Sequence, residues 1–438
     1  MSDVLTIEKF NHEGRGIAHQ DGRVVFIEGA LPGETVSVQI IKKTSKLWEG
    51  KVLEVMTPSK DRISPRCAVF GICGGCSLQH MPSSLQLEFK QAMLAEQFQH
   101  FAGTLPKTWL MPLQQATFGY RTKARLGVKH VAKKGGVLIG FREKGGKYLT
   151  QMSRCEVLDP VIGENLELFK AWIQSLSLYD QIPQLECAVD DHSAVLIVRH
   201  MAPFLETDLQ KTREFVDGFN QKSPKPLVIY LQSKGPETIK RFYPEGPDLM
   251  SYSLFDLKLS FAPSDFTQVN QSLNPSMVQQ AVELLTLNED DIVLDLFCGL
   301  GNFTLPLAKK AKFVVGVEGD VAMTARALLN AKQNGISNVE FCAENLFEPF
   351  ADKPFFKKYS YGKVLLDPPR AGALEVCTAL VNLGKKKPKK IVYVSCNPST
   401  LARDAGVLVK GGYVMTHAGV MDMFPHTDHV ESMAVFGS

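Results

Sequence analysis

The sequence predicts a multidomain α/β protein in three parts. These are an amino-terminal OB-like β-barrel (1–58), a central mixed α/β region (59–262) and a carboxy-terminal doubly wound, Rossmann-like domain (263–438). Three observations carry that expectation. Short alternating apolar runs broken by Gly and Pro occupy about residues 5 to 55. Strand, glycine turn and helix patterns recur from Asn270 onward. Between these stretches lie a cluster of thiols and a strongly basic segment.

The bulk properties set limits on function. A chain of 438 residues with 45% hydrophobic and 22% charged residues has the composition of an ordinary globular protein, which excludes disordered and fibrous classes. No uninterrupted apolar run reaches membrane length, and MSDVLTIEKF has no basic stretch followed by an apolar one. A cytoplasmic protein without a membrane partner is therefore expected, and a monomer. In such a compartment nine cysteines, an odd number, point to metal ligation, catalysis or burial rather than disulfides.

Within the barrel, Gly14-Arg15-Gly16 and Asp21-Gly22 mark turns. Val24–Ile27 and Val36–Ile40 read as strands, and Leu31-Pro32-Gly33-Glu34 turns between them. Five short strands in so few residues fit a barrel of the kind that holds single-stranded nucleic acid. Lys42, Lys43 and Lys46 are candidate phosphate contacts and Trp48 a candidate stacking ring. In GRGIA, DGRVVFIEGALPGE and KVLEV this stretch resembles a TRAM domain, an RNA-binding module, and the preference for RNA follows from that resemblance.

Cys67, Cys73 and Cys76 come next, the last two as C-x-x-C with Gly74-Gly75 permitting the turn. A four-thiolate site needs one more ligand, and Cys155, which follows the basic segment, is the choice. Zinc and an iron–sulfur cluster are both allowed by cysteine-only ligation, and the spacing differs from the ferredoxin runs. The string PRCAVFGICGGCSLQH resembles the iron–sulfur loop of bacterial uracil-5 methyltransferases that modify large-subunit ribosomal RNA. That resemblance implies a structural [4Fe-4S] cluster held by Cys67, Cys73, Cys76 and Cys155.

Ser83 to Phe101 reads as one amphipathic helix with a serine cap. From Phe118 to Arg154, ten Lys or Arg stand against one acid, Glu143, in a chain of net charge +3. The asymmetry points to an anionic partner, most simply nucleic acid. Tyr120, Phe141 and Tyr148 interleave with the charges as candidate stacking rings, with core packing the stronger role for Phe141. Strands at Val137–Phe141, Ala194–Val198 and Leu227–Leu231 alternate with helical patterns.

In the last part, Asp291–Phe297 is a buried strand, Cys298-Gly299-Leu300-Gly301-Asn302 a glycine turn, and Phe303–Lys312 a helix with Pro306 in its first turn. The next strand, Phe313–Val317, ends in Glu318, about twenty residues past the turn, where a carboxylate accepts from the ribose hydroxyls of an adenine nucleoside. A missing glycine argues against a dinucleotide, and D-x-F-C-G-x-G-x-F looks like the first motif of S-adenosylmethionine methyltransferases. Glu344-Asn345 lies within reach of the adenine, and Val364–Leu366 leads to Asp367, on a loop stiffened by Pro368-Pro369. Amino-methyltransferases grip an amine with a similar tetrad, which supplies a competing reading.

The fifth strand, Ile391–Val394, delivers Cys396. A thiol there is ordinarily a packing residue, but C5 of uracil is a poor nucleophile and must be activated. A thiolate adds at C6, C5 takes the methyl group, a base removes the C5 proton, and elimination frees the thiol. Glu431, in Met423-Phe424-Pro425-His426-Thr427-Asp428-His429-Val430-Glu431, is the candidate base. His426 and His429 read as structural or RNA-contacting. Cys187, Cys298, Cys342 and Cys377 are left as packing residues.

DLFCGLGNFTLPLA, LLDPPRAG, VSCNPSTLARD and DMFPHTDHVESM resemble the RNA uracil-5 methyltransferases, and the likeness runs from about Leu5 to the end, weaker from Pro160 to Asp256. It implies Gln268, Phe297, Asn302, Glu318, Asn345 and Asp367 as S-adenosyl-L-methionine contacts, Cys396 as nucleophile and Glu431 as base. It also implies 23S ribosomal RNA as partner, with U1939 the expected target and that base flipped out of its stack. Another ribosomal uridine, a tRNA, or a non-catalytic assembly role are the alternatives, and the barrel and cysteine motif are expected to count against the tRNA enzyme. Two departures stand out: Asp428 replaces an expected glycine, and the basic run Lys385-Lys386-Lys387-Pro388-Lys389-Lys390 precedes the catalytic strand.

Overall fold

In the computed structural model, which describes residues 3–349 and 351–438, the amino-terminal barrel has six strands rather than five. They are β1 (Asp3–Thr6), β2 (Lys9–Phe10), β3 (Gly16–Gln20), β4 (Arg23–Glu28), β5 (Thr35–Lys43) and β6 (Leu47–Thr57), in the order β1-β5-β6-β4-β3-β2. The two-residue β2 is too short to show an alternation. Inward positions such as Ile7, Val25, Ile27, Val36 and Val38 form the barrel core. Trp48 is not the open stacking ring expected: it is 8% exposed, with the Lys43 ammonium 4.0 Å from its ring centroid. Cations that cover a ring occupy the face a base would use.

Helix α1 (Ser83–Gln97) continues into a π-helical turn, Phe98–Ala102. Its cap position is Pro82, without a side-chain cap bond, so the expected serine cap is not formed. Leu87, Leu94 and Phe98 pack with Tyr393, Leu401 and Ala405 of the carboxy-terminal domain. The short β7 (Thr108–Trp109) then joins the edge of that domain's sheet.

The central sheet runs β13-β12-β11-β10-β8-β9. Its strands are β8 (Lys123–Val131), β9 (Gly136–Gly140), β10 (Gln184–Val189), β11 (Ala194–Arg199), β12 (Leu227–Gln232) and β13 (Lys240–Tyr243). Helices α2 (Pro160–Gly163), α3 (Leu166–Ser175) and α4 (Glu206–Asn220) interrupt them. The basic segment is partly neutralised by acids that the fold brings to it: Arg125 meets Glu186 at 3.1 Å, Lys144 meets Glu28 at 2.9 Å and Arg154 meets Glu156 at 2.7 Å. Tyr120 is buried and donates to the Pro425 carbonyl at 3.1 Å, and Phe141 packs against the central core, so neither is a free stacking ring. Tyr148, 71% exposed, remains one.

A hairpin, β14 (Met250–Leu254) and β15 (Leu257–Phe261), leads into the last domain. Its helices are α5 (Asn274–Leu285), α6 (Thr304–Ala308), α7 (Val321–Gln333), α8 (Pro354–Lys358), α9 (Leu374–Asn382) and α10 (Pro398–Lys410). Its strands are β16 (Ile292–Leu296), β17 (Phe313–Glu318), β18 (Val339–Ala343), β19 (Lys363–Leu366), β20 (Lys390–Ser395), β21 (Val414–Met421) and β22 (Glu431–Gly437). The order is β18-β17-β16-β19-β20-β22-β21-β7. The first five strands in that order are parallel, and β22 pairs antiparallel with both β20 and β21. Val293, Val314, Leu365 and Val392 fill one face, while Leu294, Val315, Val364 and Ile391 fill the other. Burial on both faces explains why these strands read as continuous apolar runs. Helix α6 is shorter than the expected Phe303–Lys312. Among the described residues no helix is long and apolar enough to cross a membrane.

Candidate active site

The carboxyl edge of the parallel sheet gathers the polar residues singled out from the sequence. After β16 the chain turns sharply: Phe297, Gly299 and Gly301 have φ of 64°, 55° and 94°. Glycine takes such angles freely, whereas Phe297 takes one at a cost that neighbouring structure must offset. At the tip of β17, Glu318 accepts from Gly299 N and from Asp320 N, each at 3.0 Å, so its carboxylate holds the glycine turn. Asn302 exchanges two side-chain hydrogen bonds of 2.9 Å with Asn274 and accepts a third from Tyr252. Asn345 is engaged within its own loop, donating to Glu348 and accepting from Phe347 N. Phe347 lies 5.7 Å, centroid to centroid, from Phe297. Gln268 is half-buried on the loop after β15.

Burial pushes Asp367 up to about 7. Asp295, the first residue of the D-x-F-C-G-x-G-x-F string but not singled out there as a contact, is pushed up to about 8 by burial first, then by Asp367 and Glu318. Its Oδ2 accepts from Thr304 at 2.5 Å, and its Oδ1 is buried without a partner among the described residues. A cationic ligand would favour the ionised form of each of these groups. S-Adenosyl-L-methionine, with its sulfonium and ammonium, fits that donor set.

Cys396 follows β20 and precedes α10, whose cap is Asn397, accepting from Ser399 N. The last register pair between β20 and β22 is Ser395 with Ser432. Cys396, the first residue past β20, and Glu431, the first residue of β22, are the chain neighbours of that pair. The two groups interact: burial first, then Glu431 and Asp367, push the Cys396 thiol up to about 12, with Arg370 opposing them. Glu431 is buried and held well above the ordinary carboxylate range, first by desolvation and then by Asp367, with Lys90 opposing. The loop that carries Arg370 is fastened to α10, because Asn397 Nδ2 donates to the Arg370 carbonyl at 3.0 Å.

The loop between β21 and Glu431 is clamped from the cysteine-rich segment. Ser77 N and Leu78 N both donate to the His426 carbonyl at 2.9 Å. Ser77 Oγ donates to Asp428 Oδ1 at 2.9 Å and accepts from Asp428 N at 3.0 Å, so the unexpected Asp428 has a structural partner. His426 is buried, with φ of 66°, and burial lowers its affinity for a proton to about 4. This fits the structural role read for it.

Cys73 and Cys155 lie in one apolar cluster, with Cys76 packed against it. Burial raises Cys76 to about 12, with added repulsion from Cys155, Cys73 and Cys67, so the four thiols lie within electrostatic reach of one another. Among the described residues no group of three or more His, Cys, Asp or Glu is arranged to hold a metal ion. Cys187, Cys298 and Cys377 are buried, in keeping with packing roles.

Family comparisons bear on the same edge. A model described as tRNA (Uracil-5-)-methyltransferase matches residues 255–437, and a TRAM domain model matches residues 4–53. A curated relative from Francisella tularensis subsp. novicida, named 23S rRNA (uracil(1939)-C(5))-methyltransferase RlmD, is 49% identical over 437 residues, covering 98% of this chain and 95% of its own. The chain belongs to the RlmD family of RNA uracil-C5 methyltransferases. A second RlmD, from Alkalilimnicola ehrlichii, is 49% identical over 99% of this chain and 96% of its own. A solved Pyrococcus abyssi tRNA (uracil-54, C5)-methyltransferase, in complex with S-adenosyl-L-homocysteine, is 25% identical with a TM-score of 0.75, over 99% of both chains. That full-length match corrects one expectation, since a tRNA enzyme shares the whole layout and the barrel cannot count against tRNA. Membership in the RlmD family makes this chain an S-adenosylmethionine-dependent RNA uracil-5 methyltransferase.

Proposed function

We propose that the chain methylates C5 of U1939 in 23S ribosomal RNA, the position named for its relatives, through a covalent bond between Cys396 and C6. The observation that supports it is that Cys396 and Glu431 adjoin the last paired residues, Ser395 and Ser432, and act on one another electrostatically. In this reading Cys396 Sγ adds to C6, which makes C5 enolate-like, and C5 accepts the methyl group. Glu431 then takes the C5 proton, the C5=C6 double bond re-forms, and the C6–Sγ bond breaks. S-Adenosyl-L-methionine supplies the electrophilic methyl group. Gln268, Phe297, Asn302, Glu318, Asn345 and Asp367 would hold it, Glu318 toward the ribose and Asp367 beside the sulfonium.

RNA carrying 5-fluorouridine at the target tests this, because fluorine cannot leave as the proton does. The wild-type chain should form an adduct, stable to denaturation, on the Cys396 peptide, and Cys396→Ala should form none. Absence of the wild-type adduct with competent RNA and methyl donor would sink the proposal. The likeness to the Pyrococcus enzyme supports a second reading, a tRNA target. Matched ribosomal and tRNA fragments in one competition assay decide between the two.

For the cysteine segment the proposed occupant is a structural [4Fe-4S] cluster on Cys67, Cys73, Cys76 and Cys155. Mutual reach of four thiols, with Cys73 and Cys155 buried and Cys67 and Cys76 half-buried, supports it. A four-iron cube takes one thiolate per corner, so its ligands need not converge as around a single ion. Iron and acid-labile sulfide content after anaerobic purification is the test. Action on ribosomal RNA fits a cytoplasmic location.

A further inference from the structure

Helix α1 buries a lysine beneath the catalytic loop. Lys90 is fully buried, and its ammonium donates to Asp422 Oδ1 at 2.7 Å and to the Phe424 carbonyl at 3.0 Å. Asp422 is equally buried, and its Oδ2 has no hydrogen-bond partner among the described residues. A buried pair of this kind is a poor source of stability, because desolvation offsets most of the attraction. Its location suggests a different role.

Lys90 grips the segment that leads from β21 toward Glu431. One helical turn earlier on α1, Gln86 accepts from His426 N at 2.8 Å and places its Nε2 3.2 Å from His426 Nδ1. Helix α1 is therefore a splint along the loop that ends at Glu431. The charged and titratable groups around Glu431 and Lys90 come from several elements: Asp367 follows β19, Cys396 follows β20, Asp422 and Asp428 lie between β21 and β22, and Lys90 belongs to α1. Asp367 disfavours the carboxylate form of Glu431, and Lys90 favours it.

We propose that Lys90 is a positioning residue for proton removal: anchored to Asp422 and to the Phe424 carbonyl, it fixes the loop that carries Glu431 so that this carboxylate meets the C5 proton when the proton must leave. In that step the Glu431 carboxylate takes the proton, the C5–H electron pair forms the C5=C6 bond, and the C6–Sγ pair departs on the Cys396 sulfur. Methyl transfer is already complete, so Lys90 bears on the release of product from the covalent intermediate.

This inference rests on Glu431 acting as the base, and the experiment keeps the two apart. RNA with 5-fluorouridine is trapped without proton removal, so wild type and Lys90→Met should form the adduct alike. On ordinary uridine RNA, Lys90→Met should turn over about a hundredfold more slowly, the usual scale of a general-base contribution. It should accumulate methylated adduct, and the acid limb of its kcat profile should move to higher pH. Lys90→Arg, which keeps the cation, should restore most of the turnover. If Lys90→Met folds poorly, the double variant Lys90→Met/Asp422→Asn leaves no unpaired buried charge and should show the same split. Unchanged turnover, or parallel loss of trapping and turnover with an unmoved pH profile, overturns the positioning role. Failure of the wild type to trap the fluorinated RNA overturns instead the reading on which it rests.

Discussion

Cys396 should be an unreactive thiol until a cation arrives beside it. With the thiol pushed up to about 12 by burial and two acidic neighbours, its thiolate fraction at pH 7.5 is about 3 × 10⁻⁵, against about 0.1 for an unperturbed cysteine. Alkylation depends on the thiolate, so Cys396 should react with iodoacetamide about three thousandfold more slowly than a free thiol. Its rate should rise about tenfold per pH unit without levelling off below pH 10. The methyl donor and the thiol must reach adjacent carbons of one pyrimidine, which brings the sulfonium within about 6 Å of the sulfur. At an effective dielectric of about 20, one positive charge at that distance is worth about 3 kcal/mol, or about a hundredfold in thiolate. S-Adenosylmethionine should accelerate alkylation of the Cys396 peptide by that factor, measured by mass spectrometry. S-Adenosylhomocysteine, which lacks the sulfonium charge, should not. Rapid alkylation of the unliganded enzyme at neutral pH, or equal acceleration by both ligands, would refute the reasoning.

Other consequences can be measured in the same preparations. Asp367 and Asp295, raised to about 7 and about 8, stay protonated in the folded protein where the unfolded chain has lost those protons. The unliganded protein should therefore lose thermal stability as pH rises from about 4 to about 8. Affinity for S-adenosylmethionine, followed by calorimetry, should strengthen through about pH 7 as Asp367 ionises. Gly301→Ala places a Cβ 3.3 Å from Leu305 Cγ at φ +94°, a backbone cost of about 1–2 kcal/mol, and should weaken methyl-donor binding while leaving the barrel's RNA affinity unchanged. Cys76→Ser should lower iron and sulfide content together and speed proteolysis of the loop around Ser77, and unchanged metal content would rule out Cys76 as a ligand.

The parallel sheet and its edge were legible because buried parallel strands leave continuous apolar runs that stop at chemical residues, as Ile391–Val394 stops before Cys396. Pairings between distant segments were not. Periodicity marks Leu87 and Leu94 as buried but cannot say that they pack on Tyr393 and Leu401. Lys90 and Asp422 look like ordinary surface charges in a sequence, since only the fold removes them from water. Trp48 and Tyr120 were misread for the same reason: an aromatic beside lysines fits both a platform and a covered ring. Asp428 stood out as a departure, yet its partner Ser77 is 351 residues away.

The splint formed by α1 has a consequence for how the chain acquires its structure. Lys90 and Asp422 are 332 residues apart. Closing so long a loop adds little to the equilibrium cost, about 0.6 kcal/mol per doubling of length, but such distant contacts slow the search for the native state. Until the last strands are in place, the apolar stripe of Leu87, Leu94 and Phe98 has no surface to cover it and invites association with other chains. Lys90 then remains in water, fully charged. Its withdrawal from solvent should follow the docking of β21, and its rate of chemical acetylation over time would then serve as a clock for completed assembly.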